Sequence, residues 1–392
     1  MAADLNCPNC GARGLRIFHD AQAVPSNSCI LLKSSEEAKA YPRGNIALGF
    51  CASCGFITNT AFEAKLTEYS DRYEETQGFS PTFSSFHKQL AQRLIDRFDL
   101  RDREVLEIGC GKGEFLMLLC ELGGNKGVGF DPAYIPERNV SRAADRVTFI
   151  RDFYSEKYAD TSADFVCCKM TLEHIHPTAD FIGMVRRAIG DRPETVVFFQ
   201  IPDATRIMQD CAFEDVYYEH CSYFSPCSLG RLFRDNGFEV LGMDTEYDEQ
   251  YLTIEARPCL GEVPQPEDDE GLAELTEMVA RFRPKYAEKT AWWRDRLSTM
   301  ARDGRKVVLW GSGSKGVAFL STLGLENEVA YAVDINPYRH GYYMPGSGLE
   351  IVSPEFLPES QPDVVIVMNA IYRREISEQL QSLGLQPEIL TV

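Results

Sequence analysis

Short apolar runs alternate with helical stretches over the middle of the chain. Five runs between residues 100 and 202 are rich in β-branched and aromatic residues, namely Val105–Ile108, Gly127–Phe130, Val147–Ile150, Phe165–Cys168 and Val196–Ile201. Their length and composition are typical of buried strands in a parallel sheet. The pattern therefore predicts a doubly wound α/β unit, preceded by an amphipathic helix over residues 81–100.

The regions on either side have other patterns. Residues 1 to about 65 show strand-like runs and little helix signal, and a Pro- and acid-rich linker spans 260–271. A helical segment follows to about Arg302, with a bend expected at Pro284. A strand over Lys306–Trp310 then opens a second, smaller Rossmann-like α/β unit. We predict four units: 1–68, 69–260, a linker and helix over 261–303, and 304–392.

Composition excludes some classes of function. The 392 residues carry a formal net charge of −19, which argues against a nucleic-acid partner because phosphate binding needs a basic surface. No apolar run approaches the ~20 residues of a membrane span. The first residues lack the basic and apolar regions of a signal peptide, so we expect a cytoplasmic location.

Two CxxC pairs stand near the N-terminus, Cys7 with Cys10 and Cys51 with Cys54. Four thiolates complete a tetrahedral zinc shell with no open position, so the pattern predicts a structural zinc site. A coincidental pairing or a redox CxxC is the alternative. The other nine of the 13 cysteines are scattered and are expected to be buried thiols.

A glycine-rich loop follows the first strand of the α/β unit. Gly109, Gly111 and Gly113 allow a sharp turn and let a ligand lie against backbone amides at a helix N-terminus. A plain tight turn or a dinucleotide site is the alternative. The G-x-G-x-G spacing, with Glu107 just before it, favours S-adenosylmethionine, whose amino group the carboxylate would bind.

Two further positions fit that cofactor. Asp131 ends the next strand and would accept the ribose hydroxyls, and Asp152 with Phe153 follows the third strand, where the pair would bind and cover the adenine. The combination resembles the motif set of the class I methyltransferases over residues 75–258. It therefore implies S-adenosylmethionine as methyl donor.

Two polar clusters are expected at the carboxyl edge of the sheet, where ligands bind in such folds. The first is Thr171-Leu172-Glu173-His174-Ile175-His176, in which His174 is either functional or a packed histidine. The second is Tyr217-Tyr218-Glu219-His220, which supplies a proton acceptor, a carboxylate to orient it and a phenol. A solvent-facing polar loop is the alternative for the second cluster.

The last unit has a second glycine loop. Gly311-x-Gly313-x-x-Gly316 follows a predicted strand, and Asp334 ends the next one. This spacing satisfies the dinucleotide fingerprint, so NAD binding is one interpretation. Substrate binding and a structural role are the others.

Taken in order, the motifs of the whole chain resemble one family, the sugar C-methyltransferases that act on nucleotide-linked 4-keto deoxysugars. The resemblance rests on the four cysteines with Pro25-Ser26-Asn27 between them, on the Tyr-Glu-His motif continuing as Cys221-Ser222-Tyr223-Phe224-Ser225, and on a C-terminal set. That set is Trp310–Gly316, Val333-Asp334-Ile335-Asn336-Pro337 and Gly341-Tyr342-Tyr343-Met344-Pro345-Gly346. Met368-Asn369 stands where the family has Trp-Asn, so only Asn369 carries over.

The resemblance implies C-methylation beside a ketone. His220 would take the acidic α-proton, while Tyr217 and Glu219 would orient this base and stabilise the enolate oxygen. His174 and Tyr73 would line the pocket, and the last unit, with Lys315 at a phosphate and with Asn369, would hold the sugar nucleotide. Two alternatives stay open: an O- or N-methyltransferase of another small molecule, and a non-catalytic zinc scaffold that binds S-adenosylmethionine.

Overall fold

The computed structural model describes residues 3–138, 141–265, 271–325 and 327–392. Its strands, in chain order, are β1 (Ala3–Asn6), β2 (Arg13–Pro25), β3 (Arg43–Phe50), β4 (Ile57–Asn59), β5 (Glu104–Ile108), β6 (Lys126–Phe130), β7 (Val147–Ile150), β8 (Phe165–Lys169), β9 (Val196–Pro202), β10 (Ser222–Tyr223), β11 (Phe238–Glu246), β12 (Tyr251–Pro258), β13 (Val307–Trp310), β14 (Ala332–Val333), β15 (Ile351–Val352), β16 (Val364–Val367) and β17 (Glu388–Thr391).

The α-helices of the described residues are α1 (Ser35–Lys39), α2 (Pro81–Phe98), α3 (Glu114–Gly123), α4 (Thr178–Ile189), α5 (Ala204–Asp210), α6 (Pro226–Asp235), α7 (Leu272–Arg302), α8 (Ser314–Leu323), α9 (Leu357–Ser360) and α10 (Arg373–Ser382). All six strands predicted above form within one or two residues of their expected bounds. Helix α7 continues through Pro284 to Arg302. The middle of the predicted linker, residues 266–270, lies outside the described residues.

The first sheet is antiparallel, in the order β1-β2-β3-β4-β10. Its last strand comes from a distant part of the chain, because Ser222 pairs with Thr58 and Tyr223 with Ile57. Strand β10 begins two residues after the predicted Tyr-Glu-His motif. The N-terminal sheet therefore holds the loop that carries that motif.

The second sheet is the predicted doubly wound unit, in the order β11-β12-β9-β8-β5-β6-β7. Strands β5 to β9 are mutually parallel, and β11 and β12 add an antiparallel hairpin at one edge. Strands β5 and β8 are neighbours, and the chain order reverses between them. Ligands bind at such a switch point in open α/β sheets.

The third sheet is parallel throughout, in the order β15-β14-β13-β16-β17. Its switch point lies between β13 and β16, so the loops after Trp310 and Val367 adjoin. Helix α7 joins this sheet to the rest of the chain. Its first half packs Leu275, Val279 and Phe282 against the first sheet, and its second half packs residues such as Trp293 against the third.

No helix among the described residues is both long enough and apolar enough to span a bilayer.

Candidate active site

A cavity of about 510 Å³ lies where the carboxyl edges of the second and third sheets meet. The loops after β5, β6 and β8 line one part of it, and the loops after β13 and β16 line another. The segment between β4 and α2 contributes Tyr69, Tyr73 and Glu75. Two sheet edges and an N-terminal segment thus enclose one space that can hold two ligands side by side.

The glycine loop after β5 closes tightly against its surroundings. Gly109 has φ +68°, and a Cβ there would collide with the side chain of Thr171. Gly111 has φ +54°, and a Cβ would lie 2.6 Å from Oε1 of Glu75. Only glycine fits both the backbone conformation and the space. The open backbone of this loop faces the cavity, as the sequence predicts for a cofactor loop.

The two predicted donor-binding acids line the cavity; Glu107 is buried and Asp131 is half-buried. Oε2 of Glu107 has no hydrogen-bond partner among the described residues, and burial raises the pKa of this carboxyl to about 8. Asp131 accepts hydrogen bonds from the backbone N–H of Gly111 (2.9 Å) and of Ala133 (2.7 Å). An unpaired buried carboxylate oxygen is costly unless a ligand satisfies it. Glu107 therefore fits the ammonium of S-adenosylmethionine.

Asp152 and Phe153 lie at the rim of the same cavity. The hydroxyl of Tyr158 donates to Asp152 at 2.8 Å, and Lys157 forms an ion pair with the same carboxylate. The side chain of Phe153 is 61% exposed, which is unusual for a phenyl ring. Its position and exposure fit a ring that covers a bound adenine.

The structure brings His220 and Tyr217 into direct contact. Nε2 of His220 lies 2.7 Å from the hydroxyl of Tyr217, and both side chains line the cavity. His220 is 3% exposed, and burial, with repulsion from His174 and Lys315, holds its pKa well below 6.5. The imidazole is therefore neutral at pH 7 and able to accept a proton.

A second carboxylate, Glu173, is the acid closest to this base. Oε1 of Glu173 lies 3.9 Å from Nε2 of His220, and neither oxygen of Glu173 has a hydrogen-bond partner among the described residues. Burial raises the pKa of Glu173 to about 8. The group is therefore largely protonated at pH 7, and its ionised form would stabilise positive charge that develops on the neighbouring imidazole.

The carboxylate of Glu219, expected from the sequence to orient His220, forms no hydrogen bond with this imidazole among the described residues. It accepts hydrogen bonds from Nδ2 of Asn27 (2.9 Å) and from the backbone N–H of Ser28 (2.8 Å). The chain turns at residues 218 and 219, and the side chain of Glu219 points to the segment between β2 and α1. It ties the His220 loop to that segment, close to the hydroxyl of Tyr73.

His174 and Tyr73 lie in the cavity wall, as expected. Nδ1 of His174 is 3.0 Å from the hydroxyl of Tyr69, and the ring centroids of His174 and His220 are 4.9 Å apart. Tyr69 also packs edge-on against Tyr73, with 5.2 Å between ring centroids. Burial lowers the pKa of His174 to about 4. Tyr69 was not singled out in the sequence, although it stands four residues before Tyr73.

The carboxylate of Asp334, which faces the second glycine loop, is already hydrogen-bonded within the protein. Asp334 accepts hydrogen bonds from the backbone N–H groups of Ser312 (2.9 Å) and Asn336 (2.9 Å), and the hydroxyl of Ser312 donates to it as well. Arg339 lies beside this loop and donates to Ser312 at 3.2 Å. Two backbone N–H groups hold Asp131 in the same way, so these contacts do not distinguish the dinucleotide interpretation from the others.

The two predicted acceptor-binding residues reach the cavity, and each has a protein partner. Lys315 forms an ion pair with Asp215, which also binds Arg206 at 2.6 Å. Asn369 and Gln250 form a reciprocal amide pair with distances of 2.8 and 3.2 Å. Both side chains are thereby held at the third sheet's edge of the cavity.

The four predicted metal ligands form one cluster away from the cavity. Sγ of Cys7 lies 3.8 Å from Sγ of Cys54, and Sγ of Cys10 lies 3.7 Å from Sγ of Cys51. Sulfurs about 2.3 Å from a central zinc ion would be about 3.8 Å apart in a tetrahedron. The cluster therefore fits a zinc ion and does not consist of disulfides.

Comparison with known proteins gives two family matches. The family described as "Methyltransferase domain" matches residues 83–242, and the family described as "C-methyltransferase C-terminal domain" matches residues 248–386. The C-methyltransferase NovU of Streptomyces niveus is 27% identical over 309 residues, which are 74% of this chain and 72% of that protein. The cysteine cluster lies outside both matched ranges.

Solved structures of methyltransferases match less than half of the chain. One is N,N-8-amino-8-demethyl-D-riboflavin dimethyltransferase of Streptomyces davawensis, with 18% identity, a TM-score of 0.37, and coverage of 45% of this chain and 56% of that one, less than two thirds of its length. Another is magnesium protoporphyrin IX methyltransferase of Synechocystis PCC 6803, solved with S-adenosylhomocysteine, with 17% identity, a TM-score of 0.35, and coverage of 45% and 84%. TM-scores of this size support no conclusion about substrate.

Proposed function

Because the chain belongs to the S-adenosylmethionine-dependent methyltransferases that carry a C-methyltransferase C-terminal domain, we propose that it methylates the carbon beside a ketone. The acceptor we propose is a nucleotide-linked 4-keto deoxysugar, converted to its enolate by His220. The observation that carries this proposal is the buried contact between His220 and Tyr217, which shares one cavity with the glycine loop after β5.

The donor half of the cavity would hold S-adenosylmethionine through residues in three loops. Glu107 would bind the amino group, Asp131 the ribose, and Asp152 with Phe153 the adenine. When bound there, S-adenosylmethionine supplies a methyl group that is electrophilic because it sits on a sulfonium. The unpaired oxygen of Glu107 and the exposed ring of Phe153 both support this placement.

The base of the reaction would be His220. The α-hydrogen of a ketone is acidic enough for an imidazole to remove, and the depressed pKa keeps the imidazole free to accept it at neutral pH. The proton would arrive at Nε2, the nitrogen that faces Tyr217 and Glu173. The carboxylate of Glu173, once ionised, would stabilise the imidazolium that results.

The phenol of Tyr217 has two tasks in this proposal. While the base is neutral, it donates to Nε2 and fixes the orientation of the ring. As negative charge develops on the oxygen of the substrate, the same O–H can turn to that oxygen. Burial raises the pKa of Tyr217 well above 10, so the hydroxyl keeps its proton for donation.

The acceptor would lie between the base and the third sheet. Lys315 would meet a phosphate of the nucleotide, at the start of helix α8, and Asn369 would contact the sugar nucleotide from the loop after β16. His174 and Tyr73 would line the part of the pocket around the sugar. The match of residues 248–386 to a C-methyltransferase C-terminal domain supports a role for this unit in the same reaction.

We also propose that one zinc ion is coordinated by Cys7, Cys10, Cys51 and Cys54 and has a structural role. The unit over residues 1–68 would be the zinc-binding domain, 69–260 the methyltransferase domain, 261–303 the linker and helix, and 304–392 the acceptor-binding domain. Strand β10 supports a functional link between the first two, because it joins the first sheet directly after the His220 loop.

The test is turnover with a panel of nucleotide-linked 4-keto deoxysugars, with their 4-hydroxy counterparts as matched controls. Products are released from the nucleotide by acid and weighed. We expect one methyl group gained, retained after acid treatment, and seen with the ketones alone. Equal methylation of the hydroxy sugars would instead indicate an O-methyltransferase. Binding of S-adenosylmethionine without methylation of any of these sugars would contradict the proposal that the acceptor is a nucleotide-linked sugar.

A further inference from the structure

A basic residue on the donor side of the cavity is not used by the function proposed above. Lys169 ends strand β8, next to strand β5, and its side chain lines the cavity with that of Glu107. Nζ of Lys169 lies 2.8 Å from Nε2 of His87 and 3.9 Å from the ring centroid of Phe115. The lysine is 8% exposed, so its charge is held in an apolar, aromatic setting.

No carboxylate of the described residues forms an ion pair with Nζ of Lys169; burial lowers the pKa of this lysine, and Glu107, Glu114 and Glu246 act on its charge only over longer distances. Four basic side chains of the described part of the chain line the cavity, and the other three are engaged with oxygen acceptors: Lys112 with Glu75 and two backbone carbonyls, Lys315 with Asp215, and Arg339 with Ser312 and Glu74. Lys169 instead contacts a neutral ring. A buried cation in such a place gains strongly from an incoming anion.

His87 is suited to hold Lys169 without neutralising it. Burial and the adjacent ammonium keep the pKa of His87 well below 6.5, so Nε2 keeps its lone pair and accepts from Nζ. The ring is fixed by Phe83, with 4.1 Å between ring centroids. His87 therefore positions the Nζ group of Lys169 without adding a negative charge beside it.

Lys169 and Glu107 together match an amino-acid head group. Glu107 carries a buried oxygen without a hydrogen-bond partner, and Lys169 has no carboxylate within ion-pair distance; the opposite charges of the two residues act on each other without direct contact. The space beside them can take an α-ammonium at Glu107 and an α-carboxylate at Lys169. The methionine half of S-adenosylmethionine has this pair of charges.

We propose that Lys169 binds the α-carboxylate of the methyl donor and that His87 is the positioning residue for Lys169. The assignment rests on the proposed placement of the donor in this cavity. The interaction would be a charge-assisted hydrogen bond, which contributes more than a neutral one and more still where water is excluded.

The experiment compares two ligands that differ by that carboxylate, S-adenosylmethionine and its decarboxylated analogue, by titration calorimetry. We expect Lys169→Met to weaken S-adenosylmethionine by about 10- to 100-fold and to leave the analogue within about twofold. His87→Phe keeps a ring but removes the acceptor, and should weaken S-adenosylmethionine selectively by a smaller factor. Lys169→Arg retains the charge and should bind S-adenosylmethionine more tightly than Lys169→Met. Lys126→Met, at the opposite end of the same sheet, is the matched control.

Two results would overturn the assignment. One is unchanged affinity of Lys169→Met for S-adenosylmethionine, and the other is equal weakening of both ligands, which would mean that the lysine supports the pocket and not the carboxylate. Failure of the wild-type protein to bind either ligand would remove the proposed donor site itself, and is recognised before any variant is tested.

Discussion

Oε1 of Glu173 lies 3.9 Å from Nε2 of His220, and neither carboxylate oxygen of Glu173 has another partner among the described residues. The acid next to the base is thus on the loop after β8, while Glu219, the sequence neighbour of His220, is engaged by Asn27 and Ser28. Two carboxylates around one loop therefore have separable roles: one faces the base, and the other anchors the loop.

We expect Glu173→Gln to lower kcat by about 10- to 100-fold with little change in KM, because the amide cannot stabilise the imidazolium as a carboxylate does. Glu219→Gln is the matched comparison. It weakens the attachment of the loop to Asn27 and Ser28, so it should raise KM and lower thermal stability. Steady-state kinetics and thermal unfolding of both variants check this, and a larger kcat loss in Glu219→Gln would contradict it.

The pH profile reports on His220. Because burial depresses the pKa of this histidine, the imidazole stays neutral, and stays a base, to a pH below the ordinary value of 6.5. We expect the acidic limb of kcat/KM that His220 causes to lie below pH 6.5, and the ionisation of Glu173, whose pKa is about 8, to add a separate limb near pH 8 that Glu173→Gln removes. In Glu173→Gln, an acidic limb at or above pH 6.5 would show that the free enzyme does not bury its base as described.

Loss of the zinc site should impair the active site, because strand β10 connects the first sheet to the His220 loop. We expect Cys51→Ser to lose bound zinc, to lower Tm by at least about 5 °C and to reduce turnover, since the first sheet holds the His220 loop. Cys259→Ser is the control, because Cys259 lies outside the cluster. Metal analysis of both variants measures the bound zinc, and calorimetry measures Tm. Full zinc content in Cys51→Ser would refute the assignment of that ligand.

Alanine substitutions at two glycines distinguish the effect of backbone strain from the effect of a steric clash. Gly109 and Gly304 have φ of +68° and +70°, so alanine pays a similar conformational cost at both. A Cβ at Gly109 would strike Thr171, whereas a Cβ at Gly304 meets no atom within 4 Å. We expect Gly109→Ala to weaken S-adenosylmethionine by at least about 10-fold and Gly304→Ala to leave it unchanged. Equal affinities would show that the loop does not contact the donor.

Much of the fold was predictable because local patterns determine it. The runs that formed β5 to β9 and β13 are short, apolar and bounded by polar residues. Their local preference for the strand conformation agrees with their place in the folded sheets. The hairpin of β11 and β12 and the placement of β10 beside β4 were not predicted. They depend on pairing between residues far apart in sequence, such as Ser222 and Thr58, which no local pattern encodes.

The site was predictable in its members more than in its contacts. His220 and Tyr217 lie within three residues, and the structure joins them. The direction of Glu219 could not be read from adjacency, because it depends on where Asn27 and Ser28 lie. The sequence offers one indication of a role for Lys169, its place at the carboxyl end of a strand. The lack of a carboxylate within ion-pair distance is apparent only from the positions of the surrounding side chains.

The most direct test of the central claim follows the hydrogen that His220 would remove. A nucleotide-linked 4-keto deoxysugar is prepared with deuterium on the carbon beside the ketone and incubated with S-adenosylmethionine, and the products are analysed by mass spectrometry and NMR. We expect one deuterium to be lost to water for each methyl group gained, the new methyl group to be on that carbon, and the rate in His220→Asn to be lowered by about 10²–10⁴ with S-adenosylmethionine binding retained. Methyl transfer with the deuterium kept in the product would contradict it.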